Sequence, residues 1–185
     1  MSIKIAQLSQ KRGDLNLSLY GRQDISKGLI DRGIIKDEKK LIETIKKAVK
    51  GVKGDKIRTN YAVCSLPEQE AFVRVVQLPI LKKEELREAV KWEMEENIPL
   101  AIDEVYFDYS IVRPVRDKID HFDILIGALP KKIVDDYVSV LEKSGIKIKA
   151  LEIESIATSR ALIKDGLSSR PVLIVDIGSQ RTGFT

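Results

Sequence analysis

Cysteine and histidine are almost absent from this sequence, each represented once, by Cys64 and His121. A single cysteine excludes an internal disulfide and any cysteine-based zinc site within the chain, and it favours a cytosolic setting. A single histidine excludes a histidine-rich metal site. Cys64 follows Tyr61-Ala62-Val63 in a strand-like stretch and reads as a buried, inert thiol, while His121 reads as a strand-entry residue. Aromatic residues make up only 5% of the chain. None is interleaved with the basic concentration at Lys46 to Arg58, which therefore reads as a solvated helix face and loop. No apolar run approaches the length that spans a bilayer, and the N-terminus lacks the apolar core of a signal peptide. Membrane association is expected only indirectly, through a partner.

What is present is the composition of a folded globular protein. Of 185 residues, 43% are hydrophobic and 32% charged, and the 32 basic and 28 acidic residues are interspersed, leaving a formal charge of +4. That balance gives no reason to expect nucleic acid as a partner. The most informative stretch is AFVRVVQLPILKKEELREAVKWEMEENIP, residues 71–99. Ala71 to Gln77 is valine-rich and suits a pleated surface, and Leu78-Pro79 ends it because proline has no amide donor for a ladder. From Lys83 to Asn97, Leu86, Ala89, Val90, Met94 and Ile98 recur at spacings of three and four, the stripe of an amphipathic helix. Trp92 lies beside that stripe, placed to pack at a junction.

Ser2 to Leu8 and Leu15 to Tyr20 alternate like the arms of a hairpin, and a glycine-punctuated link, Gly21 to Gly33, leads to a helix from Asp37 to Lys50. Arg58 to Ser65 reads as a strand. Beyond Pro99, Val105 to Val112 and His121 to Leu129 read as an antiparallel pair. Pro130 opens a helix with Ile133, Val134, Tyr137, Val138 and Leu141 as its stripe, and Ile146 to Ile153 is the next strand. From Ala71 to Ile153 the order is β-α-β-β-α-β, for which both helices are expected on one face of one antiparallel sheet. A helix from Ser155 to Lys164 then precedes Val172 to Val175, a continuous apolar run that reads as a strand buried on both faces.

That strand delivers Asp176-Ile177-Gly178-Ser179-Gln180-Arg181-Thr182. Glycine lets a backbone approach an anion, the amides and Thr182 can donate hydrogen bonds, and the carboxylate at the strand end can hold magnesium through water. A structural hairpin turn accounts for the same residues.

LEIESIA (151–157), the helix after it and VLIVDIGSQRT (172–182) resemble the connecting helix and second phosphate loop of actin-like ATPases. With SLPEQEAFVRVVQLP, EAVKWEMEENIPL and DEVYFDY, nearly the whole chain is similar to the PilM family of type IV pilus assembly; FtsA of cell division shares the architecture but matches the central stretch less well. The resemblance implies an α/β chain with α+β elements, a partial actin-like (ribonuclease H-like) ATPase fold with an inserted β-α-β-β-α-β subdomain. Residues 1–70 and 150–171 would form the large subdomain of the first lobe, 71–149 the insert, and 172–185 the first hairpin of a second lobe.

The resemblance also implies a site. Asp176, Gly178, Ser179 and Thr182 would form part of an ATP phosphate grip, with Glu154 at the acidic position of the connecting helix and magnesium held through water by Asp176 and Glu154. The family's first Asp-x-Gly phosphate loop and most of its second lobe have no match here, so ATP and magnesium are expected in a longer parent and little or no nucleotide on this chain alone. No catalytic residue is identified. The implied partner is the N-terminal cytoplasmic tail of PilN, in the inner-membrane platform that supports pilus assembly and twitching motility. By position, Val73, Val75, Leu78, Leu81, Leu151 and Ile153 would line its groove, although each serves equally as a core residue. An unpaired edge beside Ser2 to Leu8 would favour self-association. Two alternatives share the superfamily: an FtsA-like filament-forming scaffold, and an ATPase or kinase, which would need a catalytic base.

Overall fold

The structure, a computed structural model, describes residues 1–11, 13–112, 120–163, 170–178 and 182–185. It divides into two compact units, one from Met1–Cys64, Asp136–Leu151 and Gly178–Arg181, the other from Ser65–Asp135, Glu152–Ile177 and Thr182–Thr185.

The first unit opens with the expected hairpin. Strand β1 (Ser2–Lys11) runs antiparallel to β2 (Asp14–Asp24), with a register shift between Gln7 and Leu8 that sets Leu8 opposite Leu17 and Ala6 opposite Tyr20. The glycine-punctuated link holds a smaller hairpin, β3 (Ile30–Asp31) with β4 (Ile34–Ile35), turned by Arg32 and Gly33 at φ of 46° and 81°. Helix α1 (Glu38–Lys50) starts where the Asp37 carboxylate accepts a hydrogen bond from the Lys40 amide at 3.0 Å. That satisfies one of the orphan donors of the first turn, and it holds the Asp37 carboxyl below its usual range. Leu41, Ile45 and Ala48 are the buried side of α1, which stops at Gly51. Strand β5 (Lys53–Gly54) joins β2 to give the order β1-β2-β5. Lys46, Lys47, Lys50, Lys53, Lys56 and Arg58 are all exposed, so the basic stretch is solvated as its composition suggested.

Strand β6 (Tyr61–Leu66) leads to β7 (Phe72–Pro79) and helix α2 (Lys83–Asn97). Glu84 and Glu85 in the first turn complement the helix dipole, and the Glu85 carboxylate accepts from the Lys82 amide at 3.2 Å. At the far end the Asn97 side chain donates to the Glu93 carbonyl at 2.7 Å, and Pro99 follows. A 3-10 turn (Ile102–Glu104), β8 (Val105–Val112) and β9 (His121–Pro130) complete a sheet of order β7-β9-β8. The stripe of α2 packs on one face of it: Leu86, Val90 and Met94 join Leu78, Val105, Ile124, Ile126 and Ala128 in one core. Each of the leucine, isoleucine, valine and methionine side chains, fully buried, contributes about 1.5–3 kcal/mol.

Helix α3 (Lys131–Lys143), β10 (Lys147–Ile153), α4 (Glu154–Leu162) and the hairpin β11 (Val175–Ile177) with β12 (Thr182–Phe184) follow. The order β-α-β-β-α-β is as expected, but three details differ. Strand β10 pairs with β6 instead of joining the β7-β9-β8 sheet; element order does not specify which strand a ladder chooses. On α3, Val140 is the residue buried with Leu41 and Ile45 of α1, and Glu38 accepts hydrogen bonds from Lys143 Nζ at 2.6 Å and Ser139 Oγ at 3.3 Å. Val172, Leu173, Val175 and Ile177 are exposed rather than buried on both faces, because the hairpin pairs only with itself among the described residues.

Candidate functional site

In the sheet of order β7-β9-β8, β7 is an edge, and no strand pairs with its outer side among the described residues. Alternation along β7 sends Phe72, Val76 and Leu78 toward the α2 core and Val73, Val75 and Gln77 to the opposite face. Register places Val73 opposite Gly127, Val75 opposite Leu125 and Gln77 opposite Asp123, and directly opposed residues share a face. Val75 is 57% exposed and Val73 36%. Gly127 is the hinge of this face: a Cβ there would stand 3.0 Å from Ile153 Cδ1 and 3.3 Å from Ile156 Cδ1, so its bare backbone is what lets those side chains lie against the sheet. The result is an apolar shelf beside an open edge, closed at one end by Ile153 and Ile156 and exposed at Val75. Such an edge takes an extended peptide through backbone hydrogen bonds, with alternate side chains in the shelf.

Of the groove candidates, Val73, Val75 and Ile153 come together on this shelf. Leu78 is buried, at 6% exposure, and belongs to the α2 core. Leu81 is half-buried in the link to α2, and Leu151 is half-buried in β10. Leu125, Gly127 and Ile156 were not foreseen; a glycine inside the apolar run of β9 was the available sign of close approach. Two polar contacts dress the edge strand, Arg74 with Asn97 and Gln77 Nε2 donating to Asp123 Oδ1 at 3.2 Å. His121 begins β9, with Nδ1 2.8 Å from Asp120 Oδ1. Cys64 is half-buried, and desolvation pushes its thiol pKa up, which suits an unreactive side chain.

The phosphate-loop candidates lie elsewhere in the fold. Asp176 sits in β11 opposite Gly183 and is exposed, Thr182 opposes Ile177, and Gly178 follows β11. Ser179 lies outside the described residues. Glu154 is the first residue of α4, and the Oγ of the neighbouring Ser155 is buried without a hydrogen-bond partner among the described residues. No cluster of three or more His, Cys, Asp or Glu side chains suited to a metal ion occurs among the described residues.

A family model for the type IV pilus assembly protein PilM matches residues 1–185. The chain belongs to the PilM family. A solved structure of a PilM-PilN type IV pilus biogenesis complex matches with a TM-score of 0.83 at 23% identity, over 99% of this chain and 54% of that one. This PilM-family chain therefore spans about half the length of that relative, and it shares its fold, the mixed α/β actin-like architecture expected from the sequence. The cytoplasmic domain of EpsL, an inner-membrane component of the type II secretion system of Vibrio cholerae, matches at a TM-score of 0.45 and 14% identity, over 82% of this chain and 57% of that one. That score is too low to carry an argument.

Proposed function

We propose that this chain is a scaffold segment of type IV pilus assembly that binds the N-terminal cytoplasmic tail of PilN as an added strand on β7. The observation that carries the reading is the outer edge of β7, unpaired among the described residues, beside the exposed Val73 and Val75. Backbone hydrogen bonds along the edge supply affinity, and the shelf over Gly127 and Leu125 selects small apolar side chains at alternate positions. Family membership and the fold shared with the PilM of a PilM-PilN complex support the choice of partner. Among the described residues no helix is long and apolar enough to cross a membrane. Capture of a membrane protein's tail would bring the chain to the inner-membrane platform on its cytoplasmic side. ATP belongs to this reading only where further residues complete the site; Asp176, Gly178 and Thr182, with Glu154 reaching magnesium through water, would be its contribution from this chain.

The test is fluorescence anisotropy of a labelled PilN N-terminal peptide titrated with the chain, after circular dichroism shows that it is folded. Saturable binding is expected, and Val75→Asp, which sets a charge on the shelf, weakens it at least about tenfold. A folded chain that leaves the anisotropy unchanged, or a Val75→Asp variant that binds as tightly, overturns the assignment to β7.

A further inference from the structure

Strands β6 and β10 pair with each other, and one face of that pair is basic and aromatic together. Lys147 Nζ stands 5.6 Å and Lys149 Nζ 4.7 Å from the centre of the Tyr61 ring. Both lysines therefore lie on the face of Tyr61, which Val63 shares by alternation along β6. All four belong to the first unit and are exposed, Tyr61 at 50% and Val63 at 63%. Ala62, Cys64 and Ile148 alternate to the other face and are half-buried.

Neither lysine has a carboxylate partner among the described residues, and nor do the exposed Lys56 and Arg58 in the segment that leads into β6. That segment is tied to β10, where the Lys147 amide donates to the Asn60 carbonyl at 2.7 Å. The basic stretch from Lys46 to Arg58 contains no aromatic residue, but the fold sets Tyr61 just beyond it, against two lysines from a distant part of the chain. Two ammonium groups drawn to one ring repel each other, and an anion set over them relieves the repulsion.

A free phosphate would engage the lysines and leave Tyr61 and Val63 in water. A nucleic-acid strand would stack on Tyr61 and still leave Val63 unused. The surface of an anionic bilayer takes all of them: phosphates meet the cations, tyrosine sits at the level of the headgroups, and a small apolar side chain reaches the acyl boundary. We infer that the Tyr61 face of the β6-β10 pair docks directly on anionic phospholipid, a contact of this chain itself that needs no captured tail. Lys56 and Arg58 add to the attraction from the adjoining segment.

The experiment is cosedimentation of the chain with vesicles of phosphatidylglycerol and phosphatidylcholine, and with vesicles of phosphatidylcholine alone, in the absence of any PilN peptide. Binding to the anionic vesicles only is expected, and it falls as salt is raised. Lys147→Glu combined with Lys149→Glu lowers it at least about tenfold. Val63→Ser, which leaves every charge in place, lowers it about threefold. The same charge change at Lys27 and Lys36, exposed residues of the link that packs with α1, controls for the net charge of +4 and has a smaller effect. Circular dichroism checks folding, and Lys147→Gln with Lys149→Gln serves if the reversed pair fails to fold. A chain that stays in the supernatant with both vesicles overturns the inference, as does equal binding to both. So do two charge-reversed pairs that weaken binding equally, which would assign the attraction to net charge. Displacement from the vesicles by inorganic phosphate or by a thymidine oligonucleotide at matched ionic strength also overturns it, and gives the face to free phosphate or to nucleic acid.

Discussion

The β7-β9-β8 sheet and the β11-β12 hairpin are built from similarly apolar strands, yet one is largely enclosed and the other lies open. The sheet has α2 on one face, where Ile124 and Val90 are 0% exposed, and Ile153 and Ile156 over Gly127 on the other. Among the described residues the hairpin has neither, and Ile177 is 80% exposed. Intermediate in cover is β1-β2-β5, which has α1 on one face while Leu8, Leu15, Leu17 and Tyr20 face water. The difference shows that an apolar strand becomes core only where another element arrives to cover it, and composition does not reveal whether one will.

The comparison breaks first at Val90. Val90→Asp places a carboxylate where no hydrogen-bond partner exists and should cost more than about 4 kcal/mol, enough to abolish the urea transition of the second unit. A cooperative transition near the parental midpoint would mean that α2 does not seal this sheet. Gly54→Ala probes the one-sided sheet. Its Cβ would lie 2.4 Å from the Ser18 carbonyl oxygen at a φ of +99°, so the β2–β5 pairing should lose about 2–3 kcal/mol by chemical denaturation. The smallest effect is expected in the open hairpin. Leu173→Ser and Ile177→Ser should each stay within about 0.5 kcal/mol of the parent, and a larger loss for either would reveal a covering layer.

The elements were legible where they depend on neighbours in sequence. The α2 stripe is a spacing of three and four residues, the α1 start is a carboxylate three residues before the amide it caps, and Gly51 is a stop. The family was legible for another reason, since the stretch from Ser65 to Leu100 is distinctive in its residues and not only in its periodicity. What escaped depends on distant partners. Strand β10 reads the same whether it joins β6 or β7, and Val140 looks like the outer side of α3 until α1 claims it. Val172 to Val175 announces burial that no described layer provides. Within the candidate groove, Val73 and Val75 followed from their place on β7, whereas Leu78 alternates to the wrong face and Gly127 matters through an absent side chain.

The first unit is discontinuous: its core joins Leu41 and Ile45 to Val140, from segments that lie on either side of Ser65–Asp135. On a translating ribosome this fixes an order of events. The α1 stripe emerges early but has no Val140 to meet until roughly a hundred residues more have been made, an interval of about 5–20 s at ordinary elongation rates. Residues 65–135, with most of their own core, can close in that interval. The part of the protein made second is thus free to fold first, while the N-terminal segment waits with its apolar side uncovered and open to chaperones.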